Sequence, residues 1–221
     1  MIPLDPASLT SPDPRRPYVI LKAATTADGR IASAFGESQW ITGPEARAAG
    51  HHIRAAVDAI LVGSGTLLAD DPSLSTRVPG GSNARPVLLD SRLRCPADAR
   101  VLTAGLRPLL FCAPDAPARS LPADIIRVPR AGGGLSVPAV LAVMVDRGLR
   151  SVLVEGGGLV HRAMLDAGVV DQIDLFVAPK VLAGGPGWVG GTPLHLDEAR
   201  FVVEAVAVVG ADVQIRMRAA R

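Results

Sequence analysis

The feature that most constrains this chain is a series of short apolar runs, each closed by glycine, proline or a polar loop. "YVILKAA" (18–24), "DAILVG" (58–63) and "SVLVEGGG" (151–158) are apolar on every position that packs, and "RPVLLD" (85–90), "PLLFC" (108–112), "DIIRV" (124–128) and "QIDLFVAPKVL" (172–182) follow the same pattern. Runs this short, without alternation, are the mark of strands buried on both faces. Helical spacing fills the gaps at "TGPEARAAGHHIRAAV" (42–57), with Thr42 as expected cap and Pro44 in the first turn, at "SVPAVLAVMVDRG" (136–148) and at "LVHRAMLDAG" (159–168). Near the end, "ARFVVEAVAVVGADVQIRMR" alternates and turns at "VGAD", as an antiparallel hairpin does. The expected architecture is α/β: a mostly parallel central sheet with helices on both faces and a C-terminal antiparallel hairpin.

A chain of 221 residues supports one substantial core. Its apolar share is 48% but aromatics are only 3%, so the sheet packs mainly through small aliphatic side chains. A net charge of +2 argues against a nucleic-acid partner. Cys95 and Cys112, 17 positions apart, make neither a disulfide framework nor a zinc site, and a cytoplasmic location is the expectation. No metal site is expected. The opening "MIPLDPASLTSPDPRR" lacks the apolar core of a signal peptide and reads as a flexible arm over 1–16, leaving one domain over 17–221. No apolar stretch has the length of a membrane span.

Chemistry concentrates at the ends of the apolar runs. The long polar loop "DGRIASAFGESQWITG" (28–43) follows the first strand directly and carries Trp40; a loop of this kind is either functional or disordered. In "VEGGGLVHRA" a buried strand enters a helix through glycines. That arrangement suits a phosphate at a helix N-terminus, and equally suits a tight turn that needs positive φ. Lys22 sits among apolar neighbours, where a lysine needs a counter-charge, and Glu155, at the end of another strand, is the natural one. "GTLLADDPSLSTR" groups Thr66, Asp70, Asp71, Ser75, Thr76 and Arg77 into a polar corner fitted to a sugar phosphate or nucleotide, or to nothing more than a solvated turn. His51, His52, His161 and His195 read as structural from their isolation.

Taken together, "LKAATTADGRIA", "GESQWITG", "AILVGSGTLLADDPSLSTR", "VLLDS" and "VEGGG" resemble, in order and spacing, the reductase domain of the bifunctional riboflavin-biosynthesis deaminase/reductase, over Pro17 to Arg218. The resemblance implies a dihydrofolate reductase-like fold, a homodimer, and NADPH-dependent reduction of the ribose of 5-amino-6-(5-phosphoribosylamino)uracil to a ribityl chain. It implies Lys22 and Glu155 beside the reacting ribose. Ser38, Arg54, Leu74, Arg77 and Glu155 would contact substrate. Ala24, Trp40, Thr66, Asp70 and Ser91 would line the NADPH site, with the turn Gly157, Gly158, Leu159, Val160, His161, Arg162 and Ala163 holding the diphosphate. Ser91 and Arg92 are the candidates for the 2′-phosphate.

Hydride transfer to ribose C1′ follows, after the sugar opens to an imine, with Lys22 orienting hydroxyls and Glu155 handling the proton. The sequence departs from the family at "TTADG", where "SLDG" is more usual, and in its third glycine at "EGGG". It contains no H-x-E and no P-C-x-x-C, so a separate deaminase is expected to supply substrate. Alternatives are a reductase of the undeaminated diaminopyrimidine or of a dihydropterin, and a non-catalytic nucleotide-binding partner of a deaminase.

Overall fold

A computed structural model describes residues 1–191, 195 and 201–220. Its strands are β1 (Tyr18–Thr26), β2 (Ala59–Gly63), β3 (Arg85–Leu89), β4 (Leu109–Cys112), β5 (Asp124–Arg127), β6 (Arg130–Ala131), β7 (Gly134–Leu135), β8 (Ser151–Gly156), β9 (Gln172–Ala178), β10 (Phe201–Val209) and β11 (Asp212–Ala219). The helices are α1 (Pro44–Ala55), α2 (Ser64–Asp70), α3 (Val137–Asp146) and α4 (Gly158–Asp166). Nine strands form one sheet in the order β10-β11-β9-β1-β8-β2-β3-β4-β5. The pairs from β9 to β5 are parallel, and β11 and β10 add to β9 antiparallel. The expected α/β class, with its late antiparallel hairpin, is what the chain adopts.

Strand alternation sends one set of side chains to each face. Ile20, Ile60, Leu88, Leu110, Leu153 and Phe176 meet Ala46, Ala49 and Ile53 of α1 on one side. On the other, Val19, Leu21, Leu61, Val87, Phe111 and Val152 meet Val140, Leu141 and Met144 of α3 and Met164 of α4. Each fully buried aliphatic chain contributes about 2 kcal/mol. Small residues at Ala46, Ala49 and Gly50 let α1 lie close over β1, which is what brings its polar residues within reach of the strand ends.

Several local details differ from expectation. Gly43, not Thr42, is the N-cap of α1; no side chain caps the helix, and the Gly43 amide donates instead to Asp212 Oδ2 at 2.7 Å. β9 stops at Ala178 rather than 182, where Pro179 withdraws a ladder donor. The small β6–β7 hairpin was not anticipated. Ala199 and Arg200, with which the hairpin reading begins, lie outside the described residues. The opening segment, expected as a free arm, is docked: Leu9 is buried in the core, Arg16 makes a two-pronged ion pair with Asp171 at 2.6 and 2.8 Å, and the Ile2 amide donates to Gln214 Oε1. Apolar burial and a partly buried guanidinium give the segment contacts that its proline content hides. Both cysteines are buried and free. No helix among the described residues is long and apolar enough to cross a membrane.

Candidate active-site cleft

The carboxyl ends of β1, β2 and β8, roofed by α1 and the 28–43 loop, enclose a cleft of about 940 Å³. Ligands in open α/β sheets bind at this edge because helix N-termini and short loops converge there. Lys22, Ala24, Ser38, Trp40, Arg54, Thr66, Asp70, Leu74, Arg77, Glu155, Gly157 and His161 all line it. Residues read separately from five stretches of sequence therefore meet at one site.

Arg54 and Glu155 form its centre. The guanidinium donates from Nε to Oε1 at 2.8 Å and from Nη2 to Oε2 at 2.5 Å, and from Nη1 to the Ser75 carbonyl at 3.0 Å. Burial raises the Glu155 carboxyl, but the Arg54 charge and its hydrogen bonds, helped by Lys22, win and hold it down to about 2. Glu155 is thus a fixed carboxylate at neutral pH, an acceptor and not a proton donor. The Lys22 ammonium lies beneath Gly50 and 5.7 Å from the centre of the Phe176 ring. Burial lowers its pKa, and Glu155 opposes that shift.

One face of α1 carries Arg47, His51 and Arg54 into the cleft, spaced i, i+4, i+7. Arg47 and His51 were missed from sequence, although this spacing with Arg54 was available as a signal. His51 Nδ1 is buried without a hydrogen-bond partner among the described residues, and burial together with Arg54 and Arg77 pulls the imidazole down to about 4, so it is neutral. Arg47 stacks on the Trp40 ring at 4.4 Å and donates to the Thr42 carbonyl. Lys180 Nζ donates to the Trp40 carbonyl at 2.8 Å, tying the long loop to the end of β9. Further along, Arg30 bonds the Gly185 carbonyl and Ile31 the Pro186 carbonyl, so both ends of the loop are anchored.

The polar corner divides its labour. Asp70 faces the cleft, where burial raises its carboxyl against a hydrogen bond with Ser38. Asp71 turns away in a left-handed conformation and accepts from the Arg100 amide at 2.9 Å. Leu74 is buried at φ 53°, a strained backbone for leucine, beside the Ser75 carbonyl that Arg54 holds. Arg77 is exposed and has no ion-pair partner among the described residues, which leaves its charge available.

At the glycine turn both readings of "EGGG" have physical content. Gly157 sits at φ 42°, and a Cβ on Gly158 would stand 2.8 Å from Gly187 O and Gly190 N. The glycines are therefore needed for the turn and for the 187–190 loop to approach, and they also leave the α4 N-terminus bare. Leu159 is exposed at that end. Several side chains of the turn are spent on structure: His161 is buried and bonds the carbonyls of Trp188 and Val154, Val160 packs against Gly63, Ala163 joins the core, and Arg162 pairs with Asp166 at 2.6 Å. Ser91 and Arg92 follow β3 and do not line the cleft.

The chain matches the family model described as the RibD C-terminal domain over residues 17–215. It is 34% identical over 209 residues to the riboflavin biosynthesis protein RibD of Bacillus amyloliquefaciens, an alignment covering 90% of this chain and 56% of that protein. It is 35% identical over 176 residues to the 2,5-diamino-6-ribosylamino-4(3H)-pyrimidinone 5′-phosphate reductase of Methanothermobacter thermautotrophicus, covering 76% of this chain and 81% of the relative. The crystal structure of a Thermotoga maritima deaminase/5-amino-6-(5-phosphoribosylamino)uracil reductase superposes with a TM-score of 0.81 at 31% identity, over 93% of this chain and 57% of that one. A dihydrofolate reductase from Enterococcus faecalis shares the fold alone, with a TM-score of 0.56 at 16% identity. The chain thus spans little more than half the length of the RibD proteins it matches, and over that span it belongs to the RibD C-terminal domain family.

Proposed function

We propose that this chain is a riboflavin-pathway reductase that uses NADPH to reduce the ribose of a 5-phosphoribosylaminopyrimidine. The observation that carries this reading is the convergence of Lys22, Glu155, Arg54 and Arg77 on one cleft that has the Gly157 turn in its wall. The donor set fits the cofactor: Thr66, Asp70, Ala24 and the Trp40 ring line a path to the bare start of α4, which suits a diphosphate. Bound there, NADPH would supply a hydride. Arg77, exposed and unpaired, suits the substrate's phosphate. Arg54 is committed to Glu155 and positions that carboxylate instead of gripping phosphate directly.

Ring opening moves a proton from the exocyclic nitrogen to the ribose ring oxygen, leaving a C1′ imine. Reduction then adds a hydride at C1′ and a proton at nitrogen. Glu155, held ionised, accepts from a ribose hydroxyl and fixes the sugar. Lys22, its pKa lowered by burial, is the group suited to give a proton. Hydride transfer needs the two carbons near van der Waals contact, so positioning carries much of the rate.

The undeaminated diaminopyrimidine is the second reading, favoured by the name of the Methanothermobacter relative, most of whose length this chain spans. Following NADPH oxidation at 340 nm with the deaminated substrate, the undeaminated one and dihydrofolate separates these. Preferential turnover of the deaminated compound is expected; preference for the undeaminated compound selects the second reading, and turnover of dihydrofolate alone defeats both. A homodimer is part of the same proposal. β10 is an edge strand on which Val203, Val206 and Val208 are exposed, an apolar stripe suited to a second copy of the chain.

A further inference from the structure

Across four strands, one row of the sheet carries alternating charges. Glu155 on β8 and Asp174 on β9 flank Lys22 on β1, and Arg216 on β11 follows; Lys22 and Asp174 are register partners, as are Asp174 and Arg216. Neighbours in register on one sheet face stand about 5 Å apart at Cβ. Asp174 is fully buried and accepts three side-chain hydrogen bonds. Gln172 Nε2 donates to Oδ2 at 2.5 Å, while Gln214 Nε2 and Arg216 Nε donate to Oδ1 at 3.0 and 3.1 Å. Arg216, also buried, donates onward to the Pro3 carbonyl at 2.6 Å and to the Ile2 carbonyl. The Ile2 amide closes the circuit on Gln214.

This network lies behind the cleft, not in it; neither Asp174 nor Arg216 lines the cavity. A buried ion pair that served stability alone would be no better than apolar side chains of the same volume. Its position suggests a different use. Glu155 is shared with Arg54, so beside it the Lys22 ammonium, partly desolvated beneath α1, draws on a second negative charge, Asp174, whose effect is the smaller of the two. The other groups facing it do not supply one: Arg54 and neutral His51 on α1, and buried His161 on α4, either repel the ammonium or carry no charge.

We propose that Asp174 is a positioning residue for Lys22, a carboxylate fixed by Gln172, Gln214 and Arg216 that acts through its charge on the ammonium of its register partner on the neighbouring strand. Through Arg216, the docked N-terminal residues cap the outer end of the same row. The inference rests on Lys22 standing beside the reacting ribose, but its test does not need turnover.

The chain has two lysines, Lys22 and Lys180, so protein labelled with 13C at lysine Cε gives two signals that titrate independently of any substrate. In Asp174→Asn the Lys22 titration is expected to fall by about one pH unit relative to wild type, while Lys180 stays put. The basic limb of kcat/KM should move down by the same amount, with the affinity for NADPH unchanged. An unmoved Lys22 titration in folded Asp174→Asn overturns the inference. Should that variant fail to fold, Asp174→Leu combined with Arg216→Leu removes both buried charges together; Lys22 is then expected to fall by less than in Asp174→Asn, because a cation goes with the carboxylate, and the absence of any fall is equally fatal. A Lys22 shift in a protein that turns over no phosphoribosylaminopyrimidine would leave this inference standing and remove the functional reading instead.

Discussion

Charged side chains placed where water is scarce decide the chemistry of this cleft. The Arg54–Glu155 pair is largely buried, so deleting one member leaves a carboxylate with only Lys22 for company. Arg54→Met is therefore expected to cost about 3 kcal/mol in urea unfolding, well above the effect of an exposed pair. The pH dependence has a definite sign. Glu155 is held at about 2 against an ordinary 4.5, so the unfolded state takes up its proton first. The pair's contribution is complete above pH 4.5 and is lost as pH falls toward 2. His51, depressed from 6.5 to about 4, acts in the same direction: stability declines as pH falls through that window. Arg54→Met should flatten the steeper, more acidic part. Lys22 and Glu155 were legible in the sequence because a charge inside an apolar run must be paired or functional. Arg47 and His51 were missed: their spacing with Arg54 marks one helix face, but only the packing of α1 on the sheet shows that this face meets the cleft.

Elements were legible in proportion to their periodicity. β1, β2, β8 and α3 stand out as short apolar runs or a capped amphipathic stretch, and the structure places them as read. The start of α1 was displaced by one residue, because the Gly43 amide is held by Asp212, which arrives from β11 and is invisible to local reading. The N-terminal segment was obscured for a similar reason: Arg216 and Asp171, distant in sequence, hold it. At this scale β10 carries the clearest consequence. It ends the sheet and carries four exposed valines, of which Val203, Val206 and Val208 form the stripe, and Val206→Asp puts a charge in the middle of it. Light scattering should give a dimer mass for the wild type and a monomer mass for Val206→Asp, with NADPH binding retained. A monomeric wild type would refute the dimer.

The whole molecule is a mostly parallel sheet whose carboxyl edge gathers a lysine, a clamped carboxylate, an arginine with no ion-pair partner among the described residues and a glycine turn within one cavity. Glycines that a tight chain path already requires also leave a helix N-terminus open, which is where the proposed cofactor's diphosphate would lie. On the function proposed here, a hydride passes from the nicotinamide to ribose C1′ in this cleft. Turnover with NADPH carrying deuterium at the transferable C4 position, followed by mass spectrometry and NMR of the product, tests it directly. One deuterium at C1′ of a ribitylamino pyrimidine is the predicted result; oxidation of NADPH with no deuterium in the ribityl chain would contradict it.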